Sequence, residues 1–577
     1  IEAARLAGVG DGVIKGLASA GLLEAVDVTG DPAPPDLRAS PSPPLSAAQR
    51  TAADALVDAV RRKDYSVTLL DGVTGSGKTV VYMEAIAAAL AAGRQTLCML
   101  PEIALTDQWL DRFRDRFGAP PVVWHSELPA GARRAAWRAV ATGEAKVVVG
   151  ARSALFLPFP NLGLIVVDEE HDGAYKQDDG VRYQGRDLAV VRGRIEAAAV
   201  VLASATPSLE TLANVERGRY AQAVLPARHG RAATPGIELI DLRRTPPERG
   251  RWLAAPLVDA IGATLAAGEQ SLLFLNRRGY APLTLCRACG ERLACPSCDA
   301  WLVDHRLHGR LICHHCGYSA RLPESCPACG AEGRFAASGP GVERVAEEAR
   351  ERWPDAVVEI ASSDTLAGPA TLRDFTRRMA AGEIDIAVGT QVLAKGHHFP
   401  DLTLVGVVDG DLGLGGGDLR AGERTYQLLT QAAGRAGRES RPGRALIQTH
   451  LPDHPVMQAI RSGDRDAFVA AETAARRQAR LPPYGRLAGL IVSGADPGAT
   501  EAAARQLARI APRYDDARVL GPAPAPLAQL RGRWRWRLLL QAEREANIQA
   551  ILREWLAVAD LKGGVRLQVD VDPYSFM

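Results

Sequence analysis

The sequence GVTGSGKT at residues 72–79 decides the fold of this chain. An apolar run at residues 67–70, with the length of a buried strand, precedes it, and an Ala-rich segment with helical spacing follows at residues 80–90. The pattern G-x-x-x-x-G-K-[ST] between a strand and a helix is typical of a phosphate-binding loop, because glycines let backbone N–H groups surround phosphate oxygens at the positive end of a helix. The sequence therefore predicts an ATP site in a parallel α/β domain.

An acidic strand end downstream supports this prediction. The sequence LIVVDEEH begins at Leu164 and is an apolar strand that ends in carboxylates. We expect Asp168 and the Thr79 hydroxyl to hold Mg²⁺, and Glu169 to accept a proton from the attacking water. Lys78 is expected to contact the β and γ phosphates. The predicted nucleotide contacts within the loop are Gly72, Thr74, Gly75, Ser76, Gly77, Lys78 and Thr79.

Strand-like runs alternate with helical segments on both sides of these motifs, which predicts parallel sheets with helices on both faces. The first series lies at residues 67–70, 96–100, 147–149, 164–167 and 200–204, and the second lies at residues 271–275, 357–360, 384–388, 404–408 and 445–449. Two α/β lobes are the simplest interpretation. The predicted domains are a partial winged helix at 1–29, a Pro-rich linker at 30–45, an ATP-binding first lobe at 46–228, a second lobe at 229–281 and 334–480, a zinc-binding insertion at 282–333 and a C-terminal α+β domain at 481–577.

The composition excludes several classes of protein. The chain has 577 residues, 47% of them apolar and 24% charged, which is typical of a multidomain globular protein rather than a disordered or fibrous one. Its 69 basic and 67 acidic residues leave a net charge of +2, so the total charge does not indicate nucleic-acid binding. No apolar run approaches the ~20 residues of a membrane span and no signal segment opens the chain, so we expect a cytoplasmic protein without membrane contacts. Because Ile1 is not an initiator Met, we expect the chain to begin inside a longer natural one.

Eight of the nine cysteines form four C-x-x-C pairs, which in a cytosolic chain indicates metal binding rather than disulfides. Five residues separate the first pair from the second, fourteen the second from the third and nine the third from the fourth. Five residues give little room to fold two pairs onto one ion, whereas fourteen is close to the ~15–20 residues of a four-Cys ribbon. We therefore assign one structural Zn²⁺ to the inner pairs and another to the outer pairs, and expect Cys98 to be a reduced core residue. The inner ligands are Cys295, Cys298, Cys313 and Cys316, and the outer ligands are Cys286, Cys289, Cys326 and Cys329.

The DEEH sequence, the four C-x-x-C pairs and the sequence QAAGRAGR at residues 431–438 resemble superfamily 2 helicases of the D-E-x-H type, and more closely the primosomal replication-restart helicases. The resemblance covers nearly the whole chain and implies two RecA-like lobes. It implies that Arg438 is an arginine finger for the γ-phosphate, with Arg435 beside it, since a guanidinium stabilises charge spread over phosphoryl oxygens. It also implies that Gln49 contacts adenine, with an ordinary position on a helix surface as the alternative. Residues 204–208 resemble motif III, which couples hydrolysis to movement.

Three further segments resemble motifs that follow a nucleic-acid backbone in these helicases. They lie at residues 100–106, 150–154 and 389–396. Their hydroxyls, basic side chains and loop N–H groups suit sequence-independent phosphate contacts. Loops that merely close a strand are the alternative.

Residues 175–187 resemble an aromatic-rich loop that senses single-stranded DNA and reports to the ATP site. The resemblance implies that Tyr183 stacks on a base and that Arg182 or Arg186 holds a phosphate. The sequence departs from the family pattern at Val181, where the pattern has a Trp.

The sequence RGRWRWR at residues 531–537 interleaves basic and aromatic side chains. Alternation on a strand would place the arginines on one face and the tryptophans on the other. The arginine face would then bind DNA phosphates or an acidic partner peptide, with a solvated face over a buried Trp pair as the alternative. The resemblance implies that this domain engages branched DNA and single-strand-binding protein.

Residues and resemblance together predict an ATP-dependent 3′-to-5′ DNA helicase that recognises stalled or branched replication forks and promotes reloading of the replisome. The expected cofactors are ATP, Mg²⁺ and two structural Zn²⁺. The expected partners are branched and single-stranded DNA, single-strand-binding protein and other primosome or helicase-loading proteins, and the chain is expected to be a nucleoid-associated bacterial monomer. ATP hydrolysis, the lobes and the zinc sites follow from the residues, whereas DNA, polarity and restart follow from the resemblance. The alternatives are an RNA helicase with a zinc insertion and a fork-binding scaffold with secondary motor activity.

Overall fold

The computed structural model describes residues 11–23, 34–101, 107–228, 235–275, 283–286, 293, 295–296, 302–305, 310–312, 318–332, 335–338, 341–362, 365–366, 368–390, 399–411, 414, 419–437, 441–561 and 564–574. The first element within these ranges is helix α1 (Asp11–Ser19). Its neighbours Leu22 and Leu23 and its own Val13 and Leu17 are exposed. The partial winged-helix domain at residues 1–29 stays a prediction, because residues 1–10 and 24–33 lie outside the described ranges.

The first lobe contains a sheet of seven parallel strands in the order β3-β4-β2-β5-β8-β1-β9. Its strands are β1 (Ser66–Gly72), β2 (Gln95–Met99), β3 (Val122–Trp124), β4 (Val147–Gly150), β5 (Leu162–Asp168), β8 (Ala199–Ser204) and β9 (Ala221–Leu225). Its helices are α2 (Ala47–Arg61), α3 (Lys78–Ala91), α4 (Asp107–Phe117), α5 (Ala130–Ala141), α6 (Gly185–Ile195) and α7 (Leu209–Glu216). A separate antiparallel hairpin consists of β6 (Lys176–Gln177) and β7 (Tyr183–Gln184). Hydrophobic clusters lie on both faces of the sheet, so its central strands are apolar throughout. Cys98 is buried in β2, and burial raises the pKa of its thiol, as expected for a reduced core residue. The phosphate loop and the acidic end of β5 lie at the same carboxyl edge, separated by β8.

The second lobe contains six parallel strands in the order β10-β20-β19-β11-β18-β17. Its strands are β10 (Gly236–Asp241), β11 (Gln270–Leu275), β17 (Val358–Ala361), β18 (Ile386–Gly389), β19 (Leu402–Asp409) and β20 (Arg444–Thr449), and its helices are α8 (Ala255–Ala266), α9 (Val342–Arg352), α10 (Pro369–Ala380), α11 (Ala421–Ala433), α12 (Pro455–Ser462) and α13 (Arg465–Ala479). Clusters of buried apolar residues cover both faces of this sheet as well. The prediction of two parallel α/β lobes is confirmed.

A small sheet interrupts the second lobe between β11 and β17. Its strands are β12 (Leu283–Cys286), β13 (Val303–His305), β14 (Arg310–Ile312), β15 (Ser319–Ala320) and β16 (Phe335–Ser338), which pair in the order β15-β14-β13-β12-β16 with every neighbour antiparallel. Leu293, Cys295, Leu302 and Leu311 form its small core, and Leu530 packs against that core from further along the chain. This Cys-rich sheet therefore contacts the last domain.

The last domain is an antiparallel sheet with helices on one face. Its strands are β21 (Gly485–Gly494), β22 (Ala517–Leu530), β23 (Arg533–Glu543) and β24 (Arg566–Val571), in the order β22-β23-β21-β24, and its helices are α14 (Pro497–Arg509) and α15 (Ile548–Ala557). Trp555 is fully buried between helices and sheet, and its indole N–H donates to the Leu507 carbonyl at 2.9 Å. The predicted C-terminal α+β fold is confirmed.

The two lobes meet along the edge that carries the phosphate loop. The Gln427 side chain on α11 donates to the Thr206 carbonyl at 3.2 Å. Arg465 on α13 donates to both carboxylate oxygens of Asp71, at 2.5 and 2.8 Å, directly before the phosphate loop. Helices of the second lobe thus face the nucleotide edge of the first. Within the described part of the chain, no helix combines the length and apolarity needed to cross a bilayer.

Candidate nucleotide-binding and hydrolysis site

The phosphate loop is a backbone structure that depends on its glycines. Gly75 and Gly77 have φ angles of +81° and +82°, a conformation that other residues adopt only at an energetic cost. A Cβ on Gly72 would lie 2.5 Å from Ser76 Oγ and 2.9 Å from Leu225 Cβ, so that position has no room for a side chain. The Ser76 hydroxyl is buried and has no hydrogen-bond partner among the described residues. A glycine-containing loop with this hydroxyl donor at the start of α3 fits a phosphate group.

Two side chains cross the loop. Lys78 Nζ donates to the Gly72 carbonyl at 2.9 Å. The Gln49 amide nitrogen donates to the Ser76 carbonyl at 2.9 Å, while its amide oxygen accepts from the Ser46 N–H at 2.9 Å. Gln49 is 3% exposed, so it is buried against the loop and is not an ordinary residue on the surface of α2. This contact positions the loop, and the adenine contact stays a prediction.

Asp168 lies across from the loop at the end of β5. Its Oδ2 accepts from the Tyr82 hydroxyl at 2.9 Å, and its Oδ1 accepts from the Glu169 N–H at 2.9 Å. Trp109 Nε1 donates to the Tyr82 oxygen at 2.6 Å and fixes that ring. Burial and then the Glu169 carboxylate raise the pKa of Asp168 to about 6, against the opposing effect of Lys78. A divalent cation would favour the ionised carboxylate, so this environment fits a Mg²⁺ site.

Glu169 follows in a strained conformation. Its φ is +48°, which is uncommon for a residue with a Cβ and is enriched at functional sites. Its Oε2 lies 3.4 Å from Gln431 Nε2 and 3.7 Å from His171 Nδ1. Gln431 Nε2 also lies 2.8 Å from His171 Nε2, and His171 Nδ1 lies 2.7 Å from Ser204 Oγ. A residue of the second lobe therefore contacts both the candidate base and a His that connects it to residues 204–208.

Glu170, which the sequence did not single out, has an entirely different environment. It is fully buried, and its Oε1 accepts from the Ser208 N–H at 2.7 Å. Its Oε2 accepts from Thr211 Oγ1 at 2.9 Å, Ser208 Oγ at 3.0 Å and Arg186 Nη1 at 3.2 Å. The sequence indicates this role only in that Glu170 is a second acidic residue directly after Glu169. The prediction that Arg186 could hold a DNA phosphate is wrong, because its side chain is 3% exposed and paired with Glu170.

The turn after α11 meets the phosphate loop. A Cβ on Gly434 would lie 3.2 Å from Thr74 Cγ2, and Arg228 of the first lobe donates to the Gly434 carbonyl at 3.1 Å. Arg435 is in this turn, whereas Arg438 lies outside the described residues. The segment that carries Arg435 thus reaches the phosphate loop, and the phosphate contacts of both arginines stay predictions.

Comparison with known proteins assigns the chain to a family. A DEAD/DEAH box helicase model matches residues 46–215, a PriA DNA helicase Cys-rich region domain matches residues 295–321, and a Primosomal protein N C-terminal domain matches residues 477–574. The replication restart protein PriA of Rickettsia conorii is 44% identical over 88% of this chain and 78% of its own length. This chain belongs to the PriA family. The PriA of Bacillus subtilis is 37% identical over 92% of this chain and 67% of its own length.

Two solved helicase structures are more distant. RecG bound to a three-way DNA junction aligns with 17% identity and a TM-score of 0.44, over 74% of this chain and 46% of that chain. The helicase MrfA bound to DNA aligns with 15% identity and a TM-score of 0.44, over 79% of this chain and 58% of that chain.

Membership of the PriA family gives the chain an ATP-dependent helicase domain, a zinc-binding Cys-rich region and DNA binding.

The Cys-rich region of this PriA chain is described only in part. Cys286 lies at the end of β12, Cys295 and Cys326 are buried, and Cys329 is exposed. The Gly330 N–H donates to the Cys326 carbonyl at 2.8 Å, which closes a tight turn around the last C-x-x-C pair. Among the described residues, no group of three or more His, Cys, Asp or Glu is placed to hold a metal, so the pairing scheme stays a prediction. The remaining proposed ligands, Cys289, Cys298, Cys313 and Cys316, lie outside the described ranges.

The segment that resembles the aromatic-rich loop of PriA helicases forms the β6–β7 hairpin. Tyr175, just before β6, is buried, and its hydroxyl donates to the Asp168 carbonyl at 2.6 Å. Tyr183 packs edge to face against Phe156, with ring centroids 5.2 Å apart, and Val181 is 82% exposed at the tip. The hairpin therefore has one aromatic residue beside the nucleotide edge and an apolar, accessible tip.

The segments that resemble backbone-following motifs are only partly described. Residues 102–106 and 391–398 lie outside the described ranges. In the remaining motif, Arg152 donates to the carbonyls of Ala174 at 2.8 Å and Lys176 at 2.6 Å. Arg152 thus holds the backbone that leads into the hairpin, and this contact was not expected from the sequence.

The arginine-tryptophan alternation on β23 has the predicted facing. Trp536 and Leu538 pack in the core of the C-terminal domain, and the arginines lie on the opposite face. Arg535 is 7% exposed, so at this position both the predicted contact with DNA phosphates or an acidic peptide and the alternative of a solvated arginine face are wrong. Burial and then the nearby Arg182 lower the pKa of Arg535, and its Nη1 has no hydrogen-bond partner among the described residues. The hairpin of the first lobe approaches this face.

Proposed function

We propose that this chain is an ATP-driven 3′-to-5′ DNA helicase that acts at stalled or branched replication forks and supports reloading of the replisome. The observation that carries the motor part is the contact of Gln431 with Glu169 and His171 across the two lobes. A motor of this kind must couple closure of its lobes to the state of the γ-phosphate. DNA as the substrate, the polarity and the fork preference are supported by membership of the PriA family.

Each residue on the nucleotide edge has a proposed role. Lys78 and the loop N–H groups bind the phosphates, and Glu169 takes a proton from the attacking water. Thr79 and Asp168 hold Mg²⁺, which neutralises charge on the phosphate oxygens when it is bound. The Asp168 side chain accepts from the buried Tyr82 hydroxyl, which orients this proposed ligand.

The second lobe completes the proposed site. Arg438 acts as the arginine finger and Arg435 contacts the phosphate beside it, because a permanently charged, planar group stabilises charge on the transferring phosphoryl oxygens. Gln49 contacts adenine while its amide remains on the loop. The approach of Gly434 to Thr74 supports this arrangement, since it brings the turn with Arg435 to the phosphate loop.

The proposed partners follow from the family and from the accessible surfaces. Single-stranded DNA stacks on Tyr183 beside Phe156, where aromatic rings suit sequence-independent contacts. The C-terminal domain engages branched DNA and single-strand-binding protein, and other primosome or helicase-loading proteins assemble on the complex. We propose a monomer that works in the bacterial cytoplasm at the nucleoid.

The polarity is tested by unwinding of forks that differ only in which arm carries the single strand. We expect ATP-dependent unwinding of the substrate that permits 3′-to-5′ movement, and little unwinding of its mirror image. ATP hydrolysis is expected to be stimulated by DNA and much less by RNA of the same sequence. Equal stimulation by RNA would contradict a DNA helicase, and preference for the opposite arm would contradict the polarity.

The zinc scheme predicts two zinc ions per chain. We expect Cys295→Ser and Cys326→Ser each to lose one ion by metal analysis, because a closed tetrahedral site needs all four thiolates. Both sites are proposed to be structural and separate from the phosphate loop, so ATP hydrolysis should decrease less than unwinding. Cys98→Ala is the control and should keep both ions, since Cys98 is buried in β2. One ion or three ions in the wild type would contradict the nested pairing.

A further inference from the structure

The C-terminal domain is attached to the first lobe by a buried ion pair. Lys176 on β6 is 4% exposed, and its Nζ donates to Asp570 Oδ1 on β24 at 2.7 Å. The same ammonium donates to the carbonyls of Val571 and Asp572, both at 3.3 Å, so its three protons all have acceptors. Arg182 Nη1 lies 3.4 Å from the other carboxylate oxygen of Asp570. Strand β6 and the residue just before β7 therefore contact one buried carboxylate.

The hairpin end of this contact leads directly to the nucleotide edge. Tyr175 precedes Lys176 and donates its hydroxyl to the Asp168 carbonyl at 2.6 Å. Arg152 holds the backbone on both sides of Tyr175 through the carbonyls of Ala174 and Lys176. Asp570 and the Asp168 carbonyl are thus connected by two short hydrogen bonds, one from each side chain of the Tyr175–Lys176 dipeptide.

The backbone around Glu169 depends on the hydrogen bonds that surround it. Glu169 has a φ of +48°, and such a conformation persists only where neighbouring contacts hold it. The Asp172 N–H donates to the Glu169 carbonyl at 2.8 Å, and the Glu170 N–H donates to the Ala203 carbonyl at 3.0 Å. A further support comes from Tyr175, directly before the hairpin, because its hydroxyl lies 2.6 Å from the Asp168 carbonyl and 2.9 Å from the Met99 carbonyl. Displacement of the hairpin would therefore change the position of the candidate base.

We propose that Lys176 is a positioning residue through which the C-terminal domain controls the rate of ATP hydrolysis. This inference rests on the proposed function, in which Glu169 is the base and the C-terminal domain binds DNA. Lys176 contacts Asp570, Val571 and Asp572 rather than the proposed nucleotide and metal ligands, and it acts through Tyr175. When DNA binds to the C-terminal sheet, the contact between Asp570 and Lys176 changes. The resulting movement of the β6–β7 hairpin changes the backbone around Glu169.

A role as a simple attachment predicts a different behaviour. A buried ion pair contributes little net stability compared with apolar side chains of similar size, so two domains can be joined without one. An attachment would also lower basal and DNA-stimulated hydrolysis in the same proportion when it is weakened. The proposal predicts a selective loss of stimulation.

The test uses Lys176→Met, Asp570→Asn and the double variant in the full chain. We measure kcat and KM for ATP with and without a single-stranded oligonucleotide, together with the unfolding midpoint. The stimulation of kcat by DNA is expected to fall about tenfold in each single variant, the size of a typical coupling between sites, while KM for ATP stays within about twofold. The double variant should lose no more stimulation than the single variant with the larger loss, because both substitutions remove the same contact between Lys176 and Asp570.

The control is Arg477→Met, which removes an exposed ion pair with Glu216 between the second and first lobes and should leave stimulation unchanged. Asp570→Asn keeps the size of the side chain and one acceptor oxygen, so it keeps the test valid if Lys176→Met folds poorly. Unchanged stimulation in all variants, or equal loss of basal and stimulated rates, would overturn the inference alone. A wild type without any DNA-stimulated hydrolysis would overturn the proposed function with it.

Discussion

The Glu169→Gln variant is expected to bind ATP and DNA like the wild type and to hydrolyse ATP about 10³-fold more slowly, because the amide keeps the shape of the side chain and removes the base. The fold should tolerate the change. The Glu169 side chain is 28% exposed, and the oxygen of an amide can still accept from Gln431 Nε2. Both residue types have a Cβ, so the strain at the φ of +48° is the same in the two proteins.

The measurement is kcat at saturating single-stranded DNA, alongside equilibrium binding of ATP to the same preparation. Glu144→Gln is the matched control, since Glu144 is an exposed residue of the same lobe and should keep wild-type turnover. Loss of nucleotide binding in Glu169→Gln would mean that the carboxylate holds the bound state rather than activating water. Turnover close to that of the wild type would show that another group is the base.

The sequence identified the parts of the site that are local in the chain. The phosphate loop needs glycines at fixed positions because Gly75 and Gly77 have positive φ and Gly72 has no room for a Cβ, and this requirement is written in eight consecutive residues. The apolar run before Asp168 is equally local, because both faces of β5 are covered by helices. Parallel strands then bring the two motifs to one edge of the sheet. Fold class and family followed from such segments.

Contacts between distant segments of the chain could not be predicted from a local sequence motif. Lys176 and Asp570 are 394 positions apart, and nothing in either segment alone indicates a partner. The same holds for Arg465 and Asp71, which join the lobes beside the phosphate loop. A basic side chain on a loop of a DNA-binding protein suggests a phosphate contact, and that expectation was wrong for Arg186 because burial decides which charges reach solvent. Register and domain packing, which set burial, are properties of the whole fold.

The different roles of the two adjacent glutamates in the DEEH sequence, Glu169 and Glu170, were also not predictable from their local sequence. Their side chains have identical chemistry, and the sequence assigned the catalytic role by position alone. In the structure Glu169 turns toward the second lobe, whereas Glu170 turns into the first lobe and accepts four hydrogen bonds. One change in backbone direction, at the positive φ of Glu169, separates them. Substitution of the two residues should therefore have opposite consequences for rate and stability.

Glu170→Ala is expected to destabilise the first lobe by about 3–5 kcal/mol, the typical cost of removing one partner from a buried charged pair. Arg186 would keep Asp187, whose side chain is 60% exposed, but would lose its buried partner. The hydroxyls of Ser208 and Thr211 and the Ser208 N–H would lose their acceptor in a region without solvent access. Three of the four hydrogen bonds join the end of β5 to the start of α7 and the fourth joins it to α6, so the loss weakens the segment between the hydrolysis site and motif III.

The unfolding midpoint of the Glu170→Ala protein should fall by roughly 10 °C, given the size of the first lobe. Glu216→Ala is the control, because Glu216 ends the same helix in an exposed ion pair and should change stability by less than about 0.5 kcal/mol. The double variant Glu170→Ala with Arg186→Met should be more stable than the sum of the single changes predicts, since the buried charge is removed with its partner. A midpoint within 2 °C of the wild type, a margin well below the roughly 10 °C expected, would mean that water replaces Glu170 as the acceptor and that the network is not a support of the site.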